Sequence, residues 1–301
     1  IARDYPEDPF DGYFVFDADN VLNPDYVEEM NKTFSDGYQI ITSYRNSKNF
    51  GDNWISAGYA LWFLREAKYL NQARMALGTS CAVSGTGFLF SREIVRKNNG
   101  WPFYLLTEDI QFTVHSVVNG DIIGYCPTAI FYDEQPTSFR QSWRQRLRWS
   151  KGFLQVFRRY GLSLIKNCLC GNFSAYDMTM TTMPAMLLSF LGIVMNSAAC
   201  IVGLATDNMP LCKMGLTVLA DFFCGTYLTI FVVGLVTLVT EWRQIHTHTA
   251  KKVLYLFTFP LFMLTYIPIA FQSLYKRVTW TPIVHKRIKT VEDIQAGDRC
   301  E

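Results

Sequence analysis

Three short stretches carry side chains able to do chemistry. "FDADN" sets Asp17 and Asp19 at i and i+2 where an apolar run ends, "LTEDIQ" sets Glu108 and Asp109 side by side, and "QRLRW" spans Gln145 to Trp149. Two carboxylates leaving a strand together can turn into one crevice, hold a hard divalent ion and through it grip the phosphates of a nucleotide. An EF-hand is excluded, because Val21 and Leu22 stand where that loop needs a ligand and a glycine. An Asp-x-Asp alone also occurs in ordinary surface loops, so the pair acquires meaning only from its company.

Glu108 and Asp109 admit two readings. Acids in the first turn of a helix complement its dipole, and a carboxylate placed there beside a metal crevice can also serve as general base toward an attacking hydroxyl. In "QRLRW", Gln145, Arg148 and Trp149 share one helical face at i, i+3 and i+4. An indole beside an amide and a guanidinium suits a sugar ring and a diphosphate. The alternative is an amphipathic basic helix lying on an anionic leaflet with Trp149 as its anchor. The two roles are compatible, and Arg140, Arg144 and Arg159 fit the membrane one. The eight cysteines are scattered with no zinc-site spacing and read as free thiols, and His115, His246 and His248 are assigned no role.

These residues need elements to hold them. "GYFVFDADN" reads as a strand buried on both faces of a parallel sheet, with Asp17 and Asp19 at its carboxyl end, where ligands of α/β sheets sit. A helix opens at Pro24, "YQIITSYR" is another buried strand, and 54–77 reads as one long helix. "CAVSGTGFLF" gives a strand, a Gly85-Thr86-Gly87 turn and a second strand, followed by a short helix capped by Ser91 and stopped at Gly100. Thr107 is expected to cap a helix ending at Gly120, and a basic helix runs from Ser138 to Tyr160. The alternation βαβα makes 1–160 an α/β domain, with 161–177 as linker.

Beyond it the solvent changes. No charged residue lies between Asp177 and Asp207, between Asp221 and Glu241, or between Lys252 and Lys276. Each run approaches or exceeds the ~20 apolar residues that cross a bilayer as a helix. The composition, 50% hydrophobic and 18% charged, agrees. Region 178–275 is therefore expected to hold two or three spans, and 276–301 a basic cytoplasmic tail. Arg243, Lys251 and Lys252 mark one connector as cytoplasmic, and Lys276, Arg277, Lys286, Arg287 and Lys289 mark the tail likewise. Three spans cannot satisfy both, so 253–275, with Pro260 and Pro268, is the candidate for a re-entrant or interfacial path.

Taken in order, "DAD", "TED" and "QRLRW" followed by membrane spans resemble the processive, membrane-embedded glycosyltransferases of family 2, the group of cellulose, chitin, hyaluronan and poly-N-acetylglucosamine synthases. "SGTGFLF", "LTEDIQF" and "SWRQRLRWSKG" look nearest to the bacterial poly-N-acetylglucosamine type. The resemblance implies a GT-A catalytic domain on the cytosolic face of the plasma membrane. It implies inverting transfer from a UDP-sugar, here expected to be UDP-N-acetylglucosamine, to a polysaccharide or lipid-linked acceptor, with Mg²⁺ or Mn²⁺ as cofactor. Asp17 and Asp19 would bind the diphosphate and the metal, Asp19 more directly. Asp109 would be the base, with Glu108 beside it in the substrate site. Gln145, Arg148 and Trp149 would bind the acceptor end and diphosphate, and Gly85 and Thr86 would border the acceptor.

In the resembled group roughly one more βαβ unit, of ~30 residues or longer, precedes the first aspartate pair. The chain is therefore expected to lack the uridine-binding part of the domain and to bind UDP-sugar poorly as it stands. Membrane lipids are expected partners, nucleic acid is not, and accessory subunits stay open. A single-transfer enzyme acting on a lipid, or a non-catalytic membrane protein that kept the fold, are the competing readings.

Overall fold

The computed structural model describes residues 10–183, 185–279 and 289–297. Lys286 and Arg287, expected in the basic tail, lie outside the described residues.

The sheet is built from β1 (Gly12–Val15), β2 (Val21–Leu22), β3 (Ile40–Ser47), β4 (Phe88–Ser91) and β5 (Ile123–Asp133), in the order β1-β4-β3-β5-β2. Only β3 and β5 run parallel; β1 pairs antiparallel with β4, and β4 with β3. The expected all-parallel habit is thus corrected to a mixed sheet. Apolar continuity reports burial rather than strand direction, and β1, read as buried on both faces, is a half-buried edge strand with Phe14 36% exposed. The buried members are β4 and, apart from the partly exposed Arg45, β3, which is flanked by β4 and β5.

Helices α1 (Tyr26–Ser35) and α2 (Trp54–Arg65) follow β2 and β3. Asn53 caps α2, accepting hydrogen bonds from the amides of Ile55 (2.9 Å) and Ser56 (3.1 Å). The helix expected to continue to residue 77 changes pitch in a π turn, Glu66–Asn71, before α3 (Gln72–Ala76). Residues 81–84 are not a strand. Cys81 instead donates its amide to the Ile123 carbonyl at 2.9 Å, a single contact at the sheet end. Helix α4 (Arg92–Lys97) is capped by Ser91, and α5 (Glu108–Val118) ends before Gly120, as the sequence suggests.

The basic helix α6 (Phe139–Leu169) runs nine residues past its expected end at Tyr160, and α7 (Phe173–Thr182) follows almost at once. Most of the expected linker 161–177 is therefore helical, because Leu164, Ala175 and Met178 bury themselves against α5.

Helices α8 (Ala185–Ala205), α9 (Met209–Thr240), α10 (Thr249–Leu264) and α11 (Tyr266–Tyr275) form the apolar part, and α12 (Val291–Ala296) closes the described chain. Three stretches, Leu187–Ala205, Met209–Thr240 and Thr249–Tyr275, are long and apolar enough to cross a membrane. The third breaks at Thr265, where Pro268 has no N–H to offer the Leu264 carbonyl. At 16 and 10 residues, α10 and α11 are each shorter than a crossing.

The two parts are packed together rather than tethered. A Cβ on Gly58 of α2 would meet the Phe262 ring at 2.5 Å, so α2 lies directly on α10. Tyr44 hydrogen-bonds the Glu241 carboxylate, and Asn46 Nδ2 donates to the Gln244 carbonyl at 2.9 Å.

Candidate active site

The strand ends and the starts of α5 and α6 enclose a cleft of about 500 Å³. Asp17, Asp19, Gly85, Thr86, Asp109, Gln145, Arg148 and Trp149 all line it. Of the substrate residues expected from sequence only Glu108 falls elsewhere. It is exposed and lines a neighbouring cavity with Tyr13, Phe88 and Trp101, which shares Gly85 and Asp109 with the cleft.

Each wall has a local cause. Past β1 the chain turns so that the Asp17 amide donates to Thr86 Oγ1 at 2.9 Å and the Gly87 amide to the Val15 carbonyl at 2.9 Å. The Gly-Thr-Gly turn is thereby stitched to the Asp-x-Asp loop. Gly87 has φ +68°, and a Cβ there would lie 2.1 Å from the buried Phe131 ring, so no other residue fits. Asp19 is held from the far side, its Oδ2 accepting the Glu134 amide at 3.1 Å and its carbonyl accepting from Lys48.

Asp109 projects from the first turn of α5, with Oδ2 3.7 Å from where a Gly85 Cβ would stand. Burial, then the neighbouring Glu108 and to a lesser degree Glu66, push its carboxyl up to about 7, while its backbone hydrogen bond and Arg148 pull the other way. A carboxyl that changes state near neutrality is suited to take a proton.

Thr107 does not cap α5 as expected; its hydroxyl is buried without a partner among the described residues. The reason is the close approach of α6, where a Cβ on Gly152 would lie 2.4 Å from Thr107 Oγ1. That contact sets α5 and Asp109 against the helix that carries Gln145, Arg148 and Trp149. Trp149 is held edge-on to Tyr59 (5.7 Å) and Phe63 (6.1 Å). Gln145 Oε1 is buried with no partner among the described residues, and the half-buried Arg148 lies close enough to Asp109 to pull on its charge. A buried acceptor without a partner, with a guanidinium in the same cleft, is a group available to a ligand.

Sequence reasoning missed Arg45, Glu66, Arg74, Asp133 and Asp177, which also line the cleft. Arg45 is ion-paired with Asp133 and lies 3.6 Å over the Phe63 ring, and Arg74 Nε meets Asp177 Oδ2 at 2.6 Å. Glu66 begins the π turn and its carboxyl is raised by burial, against the pull of Arg45, Arg74 and Arg65. The one available signal was "FLREAKYL", where the three charges Arg65, Glu66 and Lys68 interrupt an otherwise apolar helix.

Among the described residues no three His, Cys, Asp or Glu side chains gather as a ready metal cage. Asp17 and Asp19 are hard oxygen donors suited to Mg²⁺ or Mn²⁺, ions that commonly complete their shell with phosphate oxygens and water. The donor set therefore fits a metal that arrives with a diphosphate.

An α/β domain with paired carboxylates at strand ends, faced by a base and a guanidinium, has the architecture of a GT-A sugar transferase. The chain belongs to glycosyl transferase family group 2, whose model matches residues 14–271. It is 29% identical over 147 residues to "Probable glycosyltransferase YdaM" of Bacillus subtilis, covering 48% of this chain and 34% of that protein. It is 26% identical over 158 residues to a "Probable glycosyltransferase" of Sulfolobus acidocaldarius, covering 51% and 33%. The chain thus matches about a third of the length of these relatives. Among solved structures it is similar to the mannosyltransferase PcManGT from Pyrobaculum calidifontis in complex with GDP-Man and Mn²⁺, with TM-score 0.43 and 12% identity over 91% of this chain and 65% of that one. Family membership does not separate polymerising from single-transfer members.

Proposed function

We propose that the protein is an inverting transferase that moves a sugar from a UDP-sugar, UDP-N-acetylglucosamine first, to a hydroxyl of a growing polysaccharide. The observation that carries this reading is the convergence of Asp109, Asp17, Asp19 and Arg148 on one cleft, with the Asp109 carboxyl raised to about 7.

Asp109 takes the proton of the acceptor hydroxyl as its oxygen attacks the anomeric carbon from the face opposite the diphosphate. The bond from that carbon to the diphosphate oxygen breaks, and configuration inverts. Asp17 and Asp19 would hold Mg²⁺ or Mn²⁺, which when bound neutralises charge on the leaving diphosphate. Arg148 adds a guanidinium where that charge grows, so it stabilises the transition state more than the ground state. A single base suffices, because a diphosphate leaves without the second carboxylic acid that a glycosidase requires. Trp149 offers an apolar face to the acceptor ring, and Gln145 Oε1 accepts from one of its hydroxyls.

The test uses full-length protein and labelled UDP-sugars, reading UDP release and product length. Asp109→Asn should lower turnover by about 10²–10⁴-fold, and chelation should abolish it until Mg²⁺ or Mn²⁺ is restored. Unchanged UDP release in Asp109→Asn would defeat the catalytic assignment, and a product of one added sugar would defeat polymerisation. The second reading, transfer to a lipid-linked acceptor, is favoured by an apolar cavity that adjoins the cleft at Trp149.

A further inference from the structure

The eight cysteines look unrelated in the chain, but folding brings two of them together. Cys200, in the last two turns of α8, and Cys212, in the first turn of α9, stand with their Sγ atoms 2.9 Å apart. Carbon atoms in contact lie at about 3.5–4.0 Å, and sulfur is the larger atom, so nothing else fits between them. The cause is a matched pair of short patterns, "CIVG" at 200–203 and "CKMG" at 212–215. With the two helices antiparallel, each cysteine faces the other's glycine. A Cβ on Gly203 would lie 2.6 Å from the Cys212 amide nitrogen and 3.0 Å from its Cβ, and one on Gly215 would lie 2.6 Å from the Asn196 carbonyl and 3.5 Å from the Cys200 Cβ. Small residues so placed let two helix backbones close up. A disulfide needs Cβ atoms about 3.5–4.5 Å apart, and the two glycines admit an approach of that order.

The pair lies far from the cleft. Helix α8 starts near it, since Leu187 lines a cavity together with Trp149. Helix α9 ends against the catalytic part, where the Tyr69 hydroxyl donates to Thr240 Oγ1 at 2.9 Å. The turn between the two helices, residues 206–208, is therefore at the opposite end, about 30 Å away for a helix of 21 residues rising about 1.5 Å each. That is the thickness of a bilayer core. Asp207 in the turn and the exposed Lys213 beside Cys212 put charge at this end, where it reaches headgroups or water. In a bilayer crossed by α8 and α9, the two thiols stand near one face and the cleft at the other.

We propose that Cys200 and Cys212 are a modification site, oxidised to a disulfide that pins the far end of α8 to α9, with a disulfide carrier of an oxidising compartment as co-reactant. Arg243, Lys251 and Lys252 favour the cytoplasmic side for the connector after α9, so the turn at 206–208 faces the other side, where disulfides form and persist. Cys200, the more exposed of the two, reacts first. Its thiolate attacks one sulfur of the carrier disulfide, and the other carrier sulfur leaves as a thiolate. The Cys212 thiolate then attacks Cys200 Sγ, the Sγ–Sγ bond forms, and the second carrier thiolate leaves. The two protons lost by the cysteines pass to the two carrier thiolates, and two electrons pass from the pair to the carrier. The proposal is independent of the sugar-transfer reading, since neither donor nor acceptor enters it.

The experiment uses full-length protein in membranes from cells whose outer side is oxidising. Free thiols are blocked with N-ethylmaleimide in denaturant, disulfides are then reduced, and the thiols released are tagged with a maleimide polymer that shifts the band on a gel. Cys200 and Cys212 should escape the first reagent and take the second, whereas Cys168 and Cys170, at the end of α6, should be blocked from the start. Cys200→Ser and Cys212→Ser should each lose the whole shift, and Cys224→Ser should keep it. In the unaltered protein, cleavage of the chain before Asp207, between the two cysteines, should leave fragments that part only after reduction, a result that no folding defect of a variant can imitate. Blocking of both thiols without reductant overturns the proposal. A shift that survives Cys200→Ser does the same, as does protection lifted by a chelator without reductant, which would mark the pair as ligands of a soft metal ion.

Discussion

Asp109 is the proposed base, and its environment makes two separable predictions. As a base with its carboxyl near 7, it should make kcat/KM rise with pH through that region and level off above it. Glu108→Gln removes the larger of its two acidic neighbours and should move the rise to lower pH. The stability effect has the opposite sign. A carboxyl whose folded pKa stands above its unfolded value of ~3.9 favours the fold while protonated, and that stability is lost as pH climbs through about 7. Asp109→Asn should therefore melt above the parent protein at pH 8, with the difference vanishing near pH 4. Asp133 works differently. It is a nearly buried partner of Arg45, and Asp133→Asn, which strands that guanidinium, should cost about 3–5 kcal/mol in chemical unfolding.

At the scale of elements, two helix contacts decide the site. The first is α5 against α6, where Gly152 admits the Thr107 side chain. Gly152→Leu overpacks that contact and should cost about 1–3 kcal/mol; moving Asp109 relative to Arg148, it should lower kcat by more than the lost stability explains, which melting and steady-state rates measured together would show. The second is the π turn at Glu66–Asn71, which places Glu66 at the cleft. Capping and stop signals were legible in the chain, as Ser91, Gly100 and Gly120 show, because they act over a few residues. The π turn and the direction of β1 were not, since both follow from what packs against them.

For the whole molecule, the catalytic part and the apolar helices form one contact system. Arg146, fully buried beside the motif residues Gln145 and Arg148, donates Nη1 to the Phe262 carbonyl (3.0 Å) and to Thr265 Oγ1 (2.6 Å) at the break between α10 and α11. Its Nε and Nη2 have no partner among the described residues, and its guanidinium carbon lies 4.2 Å from the centre of the Phe262 ring. A buried charge so incompletely satisfied contributes little net stability, so Arg146→Met should be neutral or stabilising in thermal unfolding, while Arg146→Ala, which leaves a void, should destabilise. The three apolar stretches make a further expectation concrete. The protein should stay with the membrane fraction through high-salt and alkaline washes; release by either would remove the spanning assignment.

The sequence by itself determined the chemistry and the two solvents. Carboxylate pairs, an indole beside a guanidinium and charge-free runs are properties of residue type and short spacing, and these point to the proposed metal-assisted sugar transfer beside helices apolar enough to cross a membrane. Only the tertiary structure decided which groups meet. Asp17, Asp109 and Arg148 are far apart in the chain and converge because the Gly87 turn and the Gly152 contact bring their elements together. The same folding set Glu108 outside the cleft, drew Glu66, Arg45 and Asp133 into it, and opened an apolar cavity behind Trp149. Those outcomes depend on long-range packing, which no local pattern of side chains encodes.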